Sequence, residues 1–326
     1  MQNILGIDVS KDTLDLVLLN EEGKFHKVIS NDPAGLKALD KWLVLRHVDR
    51  VHACLEATGQ YGDAVAEYLY GQSHDVSVVN PARIKRYGES KLHRNKTDKA
   101  DAELIAEFCL KEKPALWEPL SPDLKHLRAL VRRLKDLQTN YRQESNRLLS
   151  GEKDAWVIND LSVHVEYLKA RIVATEEEIQ NFINQTPDLK AKQDLLVSIP
   201  GIGKKSSAML LAELGEISGF ENAPQLTAYA GLNPKGFSSG SSVHKKTRIS
   251  KQGRSELRSC LYMPAIVAMT HNSVVRALKD RLRERRLPTM AIVAAAMRKL
   301  LHIVYGVLKN QKPFDPEYDR QFNFSA

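Results

Sequence analysis

The chain has 326 residues, 43% of them hydrophobic, with 48 Lys and Arg against 40 Asp and Glu for a formal net charge of +8. This composition predicts a globular protein of about two domains. Three cysteines, Cys54, Cys109 and Cys260, are far apart, odd in number and outside any CxxC pattern, which argues against a disulfide framework or a thiolate zinc site and fits a reducing cytoplasm. The N-terminus MQNILGIDVS lacks a basic region ahead of a long apolar core, and the apolar stretch from Ala291 to Leu308 is broken by Arg298, Lys299 and His302, so neither a signal peptide nor a membrane span is expected.

Residues 1–118 carry a net charge of −3 and read as a sheet domain. ILGIDVS, TLDLVLL and KFHKVIS are short β-rich runs separated by the turn formers of SKDT and NEEG. A helix over Gly35–Val48, a strand in VHACLEA, a helix over Tyr61–Tyr70, a strand in DVSVVN and a further helix follow. Three meandering strands ahead of αβαβα is the element order of the ribonuclease-H-like fold, an α/β sheet of mixed strand direction.

Four acids in this segment stand where chemistry is done. Asp8 ends the first strand in GIDVSK and Glu56 ends the central strand in CLEATG; Asp98 and Asp101 are three residues apart at the start of the helix in NKTDKADAELIAEF, and so share one helical face. Gathered carboxylates repel unless a cation offsets them. Hard oxygen donors favour Mg2+, or Mn2+, in a phosphoryl-transfer site. Each acid has a plainer reading as a helix cap, a dipole partner or a turn residue; Glu56, ending an apolar strand, most needs a partner. An actin-like ATPase also begins with a GID strand, but neither its later glycine-rich loops nor a GxxxxGK[ST] motif is found.

Residues 119–190 are electrically neutral and read as a helical stalk. Leu127, Leu134, Tyr141 and Leu148 recur every seventh residue, with Leu130 and Leu137 between them; Val165, Ile172 and Ile179 repeat the pattern with Leu168 and Phe182. The spacing predicts two coiled-coil-like helices joined near Ser150–Val157, paired either within the chain or between chains.

Residues 191–326 carry +11, and twelve Lys and Arg lie between His244 and Arg286 against Glu256, Asp280 and Glu284. A basic surface of this kind calls for a polyanion, nucleic acid first, with a solvated helix-stabilising face as the alternative. The segment reads as mostly helical, interrupted by a Gly/Ser-rich loop over Gly231–Ser242 and ended by Pro313 and Pro316 ahead of a loosely held tail. LLVSIPGIGKKSSAMLLAELG reads as helix, tight turn, helix: Gly201 and Gly203 let backbone approach a phosphate, the second helix offers free N–H groups, and Lys204 and Lys205 add charge. The nucleic-acid surface is extended along Lys245, Lys246, Arg248, Lys251 and Arg254. The loop itself carries Ser238, Ser239, Ser241 and Ser242 around Gly240; by composition it is a linker, and no Ser/His/Asp spacing marks a hydrolase triad.

Taken in order, GIDVSK, CLEATGQY, NKTDKADAELIAEF, SIPGIGKKSSAMLLAELG, AGLNPKGFSSGSSV and SKQGRSELRSCLYMPA resemble the blocks of the DEDD transposases of the insertion-sequence one-hundred-and-ten family, to which the Piv DNA invertases are related. The resemblance spans nearly the whole chain. It implies a RuvC-like catalytic domain over 1–118 whose Mg2+-binding tetrad is Asp8, Glu56, Asp98 and Asp101, a coiled-coil linker over 119–190, and a mainly helical transposase domain over 191–326 with a helix-hairpin-helix element. It also implies a nucleophilic serine before the loop glycine, here Ser239, with Ser238 and Ser241 as neighbours. The expected activity is cleavage and rejoining of donor and target DNA through a phosphoserine link, by a cytoplasmic dimer or tetramer whose site is shared between protomers. The resemblance also implies a guide: members whose element encodes a bridge RNA use it to pair with target and donor DNA, while the Piv-like members caution against assuming one here. A nuclease using metal-activated water and a non-catalytic nucleic-acid scaffold are the rival readings.

Overall fold

A computed structural model describes residues 3–57, 59, 61–91, 97–239 and 243–317. The chain forms two compact units, Met1–Pro119 and Leu120–Ala326.

The first unit is built on a five-stranded mixed sheet. Strands β1 (Ile4–Val9), β2 (Thr13–Asn20) and β3 (Gly23–Ser30) run antiparallel as a meander, and β4 (His52–Glu56) and β5 (Asp75–Val79) continue it parallel to β1, giving the order β3-β2-β1-β4-β5. Side chains alternate across the sheet. Leu5, Ile7, Leu14, Leu16, Leu18, Ala53, Leu55 and Val76 form one face, closed by α1 (Pro33–Val44) and α2 (Asp63–Gly71) through residues such as Leu39, Trp42 and Leu69. Ile4, Val17, Cys54 and Val79 form the other, closed by α3 (Pro81–Ser90) and α4 (Asp98–Glu112) through Ile84, Ile105 and Phe108. Each such buried aliphatic contributes about 2 kcal/mol, and a one-residue slip would exchange the two faces, so register is strongly fixed.

The predicted helix over 35–48 instead begins at Pro33, where Asp32 accepts a 2.7 Å bond from the Gly35 N–H, and ends at Val44. The chain then turns back through His47 at φ 54°, and the Val48 N–H donates to the Leu43 carbonyl. That left-handed stop is absent from the apolar spacing, which runs on to Val48.

The second unit is helical apart from one hairpin. Helices α5 (Pro122–Leu149) and α6 (Ala155–Gln185) pack along each other within the chain through Leu127, Leu134 and Leu137 on one side and Val165, Leu168 and Ile179 on the other, joined by residues 150–154. Asp154 caps α6. One end of this pair enters a core shared with α7 (Pro187–Val197), α8 (Lys204–Leu214), α9 (Ala223–Tyr229), α10 (Ser255–His271), α11 (Ser273–Glu284) and α12 (Thr289–Asn310). Helix α12 is long and apolar enough to cross a membrane by length and composition alone, yet half of its apolar window is buried in this core, led by Leu300, Leu301 and Val304.

The Gly/Ser-rich segment departs from the loop expected of it. β6 (Pro234–Ser239) and β7 (Val243–Ile249) pair antiparallel, with Pro234 opposite Ile249, Ser238 opposite His244 and Ser239 opposite Val243. Serine content masks the strand signal, which lies in β-branched Val243, Thr247 and Ile249 at alternate positions of the basic run.

Candidate active site

The acids of the first unit are placed by backbone register. The last paired residues of β1 and β4 are Ile7 and Leu55. One step further along these parallel strands stand Asp8 and Glu56, on the same face of the sheet and about 5 Å apart at the backbone. Directly across the antiparallel pair from Asp8 is Asp15 of β2. All three share a face with Gly6, and α4 lies on that face.

Gly6 is the reason α4 comes so close. A Cβ at this position would stand 2.2 Å from the Ala102 carbonyl oxygen and 2.5 Å from the Ala106 nitrogen, so only glycine lets the helix rest on β1. The first turn of α4, with Asp98 and Asp101, is thereby carried toward the end of β1. Thr97 starts the helix: its hydroxyl accepts a 3.2 Å bond from the Ala100 N–H. The two aspartates, in turn, offset the partial positive charge of the helix N-terminus.

The acids are close enough to repel. The half-buried Asp8 carboxyl is pushed up to about 6 from an ordinary 3.8, first by burial and then by the charges of Asp101, Asp98 and Asp15. Asp15 meets His26 Nε2 at 2.8 Å. Sequence reading missed Asp15, although it shares the parity of Val17 and Leu19 on β2, the face that carries Asp8. Glu56 is placed beside this group by strand register.

Among the described residues, no three His, Cys, Asp or Glu side chains already form a metal-holding group. The donor chemistry nevertheless fits a hard divalent cation. Asp8, Glu56, Asp98 and Asp101 offer oxygen alone, and the raised proton affinity of Asp8 is what a bound cation would relieve.

In the second unit, the turn between α7 and α8 separates its two glycines. Gly201, at φ 110°, backs onto α10, where a Cβ would stand 2.7 Å from the Ala268 Cβ and 2.8 Å from its nitrogen, while Gly203 faces open space at the start of α8. Gly201 thus packs the turn, and the surface open to a phosphate is at Gly203 and Lys204. Lys205 is exposed but ion-paired with Glu176 at 2.6 Å. Buried Gln193 donates to the Lys204 carbonyl and steadies the turn.

Ser239 is the last residue of β6, next to the tip of the hairpin; Gly240, Ser241 and Ser242 lie outside the described residues. Lys245 stands opposite Phe237 and Arg248 opposite Lys235, with Lys246 between them on β7. Arg248 and Lys251 are exposed, but Arg254 turns inward to the buried Glu213 at 3.3 Å. Glu213 was not singled out by sequence, because an acid near the end of an apolar helix reads as solvated.

A transposase family model of DEDD type matches residues 5–151, and a model described as "Transposase IS116/IS110/IS902 family" matches residues 193–280. The pilin gene-inverting protein of Moraxella bovis is 34% identical over 95% of this chain and 97% of its own length. The transposase for insertion sequence element IS1111A of Coxiella burnetii is 25% identical over 95% of this chain and 91% of its own. RuvC of T. thermophilus, solved in complex with a Holliday junction substrate, aligns with 36% of this chain and 99% of its own at 14% identity and a TM-score of 0.28, a likeness too distant to carry the fold. With both family models and a full-length relative in agreement, the chain belongs to the IS110 family of DEDD transposases, enzymes that cut and rejoin DNA.

Proposed function

We propose that this transposase works by Mg2+-dependent strand transfer through a phosphoserine intermediate, with Asp8, Glu56, Asp98 and Asp101 as metal ligands on a ribonuclease-H-like sheet and Ser239 as nucleophile. The observation that carries the reading is the placement of Asp8, Asp98 and Asp101 toward the end of β1, where burial first and the two aspartate charges second raise the Asp8 proton affinity. Bound Mg2+ would neutralise charge on the phosphoryl oxygens. Asp8, Glu56, Asp98 and Asp101 would hold the cation, whose charge would orient the scissile phosphate. The Ser239 Oγ forms a bond to phosphorus as its hydroxyl proton passes to solvent, and the departing deoxyribose oxygen takes a proton from solvent as its bond to phosphorus breaks. The phosphoserine ester conserves the bond energy, so the reverse attack by a DNA hydroxyl rejoins a strand without a nucleotide cofactor.

Gly203, Lys204, Arg248 and Lys251 provide backbone-level contacts to DNA, and to a bridge RNA if one is held, with sequence choice left to base pairing. A second copy is supported by Trp156, Val163 and Tyr167 of α6, exposed on the face turned away from the α5 seam. That stripe would pair in a dimer, so that a serine from one protomer can serve the acids of another.

The test is a labelled DNA carrying the element end. Wild-type protein with Mg2+ should give a DNA adduct that survives denaturation, and Ser239→Ala should give none, while Ser238→Ala and Ser241→Ala retain it. Undiminished cleavage by Ser239→Ala would instead mean attack by water, and unaltered activity of Asp8→Asn in cells would leave a non-catalytic scaffold. The full-length likeness to the pilin gene-inverting protein favours a second reading, inversion without a guide; RNA recovered with the purified protein and required for the adduct would exclude it.

A further inference from the structure

The β6–β7 hairpin is rooted in an unusually dense polar junction. Its outgoing strand is held by Thr227, whose hydroxyl donates to the Asn233 side-chain oxygen at 2.9 Å and whose carbonyl accepts from the Leu232 N–H. Its returning strand is zipped to the outgoing one: the Ser250 N–H donates to the Asn233 carbonyl, the Lys251 N–H to Gly231 and the Arg254 N–H to Tyr229. Arg258 of α10 clamps both, donating to the Ala230 carbonyl at 3.0 Å and the Gly253 carbonyl at 2.9 Å. Within this root the two chain ends are fixed to each other; Ala230 and Leu232 seat it in the apolar core, Arg258 ties it to α10, and a buried charge adds a directional tie to α8.

That charge is Glu213. It sits on α8 with 4% of its surface exposed, and Arg254 Nη1 reaches its Oε2 at 3.3 Å. The Arg254 guanidinium also lies 5.5 Å from the centre of the Tyr229 ring. Arg128 of α5 completes the group: its Nε donates to the neighbouring Ala212 carbonyl at 2.7 Å, and it stands within the fields of both Glu213 and Arg254. A buried carboxylate is a costly way to hold elements together when apolar side chains of the same volume would serve. What it offers in return is direction, since an ion pair with hydrogen bonds has one geometry where an apolar contact has many.

We propose that Glu213 is a positioning residue for strand transfer: paired with Arg254 and flanked by Arg128, it sets the angle at which the hairpin leaves the body of the unit and so where the serine at its tip is presented. Arg254, which charge alone would assign to DNA, acts here through Glu213. The functional consequence rests on Ser239 as nucleophile; the structural one does not.

The test uses full-length Glu213→Gln, Glu213→Asp and Arg254→Lys in two measurements. In hydrogen exchange, Glu213→Gln should speed the amides of 235–239 and 243–249 by about 10-fold or more while those of α12 keep their protection. Glu213→Asp, which retains the charge, should lie between. In the adduct assay, Glu213→Gln should slow covalent capture of DNA by about 10-fold, with affinity for the same DNA within about 2-fold of wild type. Hairpin exchange unchanged in Glu213→Gln, protection lost equally in α12, or an Arg254→Lys variant that weakens DNA binding while its hairpin stays protected would each overturn the proposal. If the wild type forms no serine adduct, the nucleophile assignment fails, and the exchange result still decides whether Glu213 holds the hairpin.

Discussion

The two units place their proposed catalytic groups by different means. In the first, the acids are located by backbone: Asp8 and Glu56 by strand register, Asp98 and Asp101 by the face of a helix resting on Gly6. In the second, Ser239 is at the end of a two-stranded ribbon whose root is tied down by side chains, Thr227, Arg254, Arg258 and Glu213. A site set by register should lose less on removal of a neighbouring side chain than a site set by an ion pair. The sharpest break between them is catalytic. Asp8→Asn and Asp101→Asn should each lower strand cleavage on the order of 10²–10³-fold with DNA binding kept, and excess EDTA should reproduce this in the wild type. Cleavage that survives both changes would remove the acids from the chemistry altogether.

The next effect is structural. Gly6→Ala drives a methyl group into the Ala102 carbonyl and the Ala106 backbone, and neither a strand nor a helix backbone yields cheaply. A loss of about 3 kcal/mol is expected, read as a lower urea midpoint. Because α4 carries Asp98 and Asp101, the same change should also weaken Mg2+ affinity measured by calorimetry. An Ala variant that folds with unchanged affinity would show that the helix reaches the acids without resting on β1.

This contrast also explains what could be read from the sequence. GIDVSK, CLEATG and the D-x-x-D pair announce their positions because strand parity and helix spacing translate directly into faces. The element order of the first unit and the existence of the two long helices follow from the same periodicities, whereas the strand order and the pairing of α5 with α6 within the chain do not. Asp15 escaped because its neighbours Leu14 and Leu16 make β2 look apolar throughout, and only pairing with Asp8 gives it meaning. The hairpin escaped because serine and glycine suggest a linker. Glu213 and Arg254 are 41 residues apart, and no local pattern joins a helix end to a loop that distance away. Gly201 and Gly203 look equivalent in PGIG, and only the packing of α10 separates them.

A smaller effect tests the electrostatics of the acids directly. Because the folded protein holds the Asp8 proton more tightly than the unfolded chain, its stability falls as pH rises from about 4 to about 6, and the full penalty persists above that range. Removing the charge should therefore stabilise the metal-free protein. Asp8→Asn in EDTA is expected to gain about 1–2 kcal/mol over wild type at pH 7.5, partial exposure having softened the shift, and to lose most of that gain by pH 4.5. Saturating Mg2+ should shrink or reverse the difference at pH 7.5, since the wild type then gains binding energy that the variant lacks. A gain independent of pH would point to packing and not to charge.

The smallest expected effect bears on how far backbone placement extends. Thr97 caps α4 through the Ala100 N–H, one turn ahead of Asp101. Thr97→Ala should cost about 1 kcal/mol, and Thr97→Ser should recover it. A frayed first turn would let Asp98 and Asp101 wander, so Mg2+ affinity should fall by a few-fold alongside the thermal midpoint. Should the midpoint drop while affinity holds, the contact of α4 with Gly6 is sufficient to place both aspartates, and the cap contributes to the helix without reaching the site. The first unit would then be set by strand register and helix packing alone, in contrast to the charge-tied hairpin of the second.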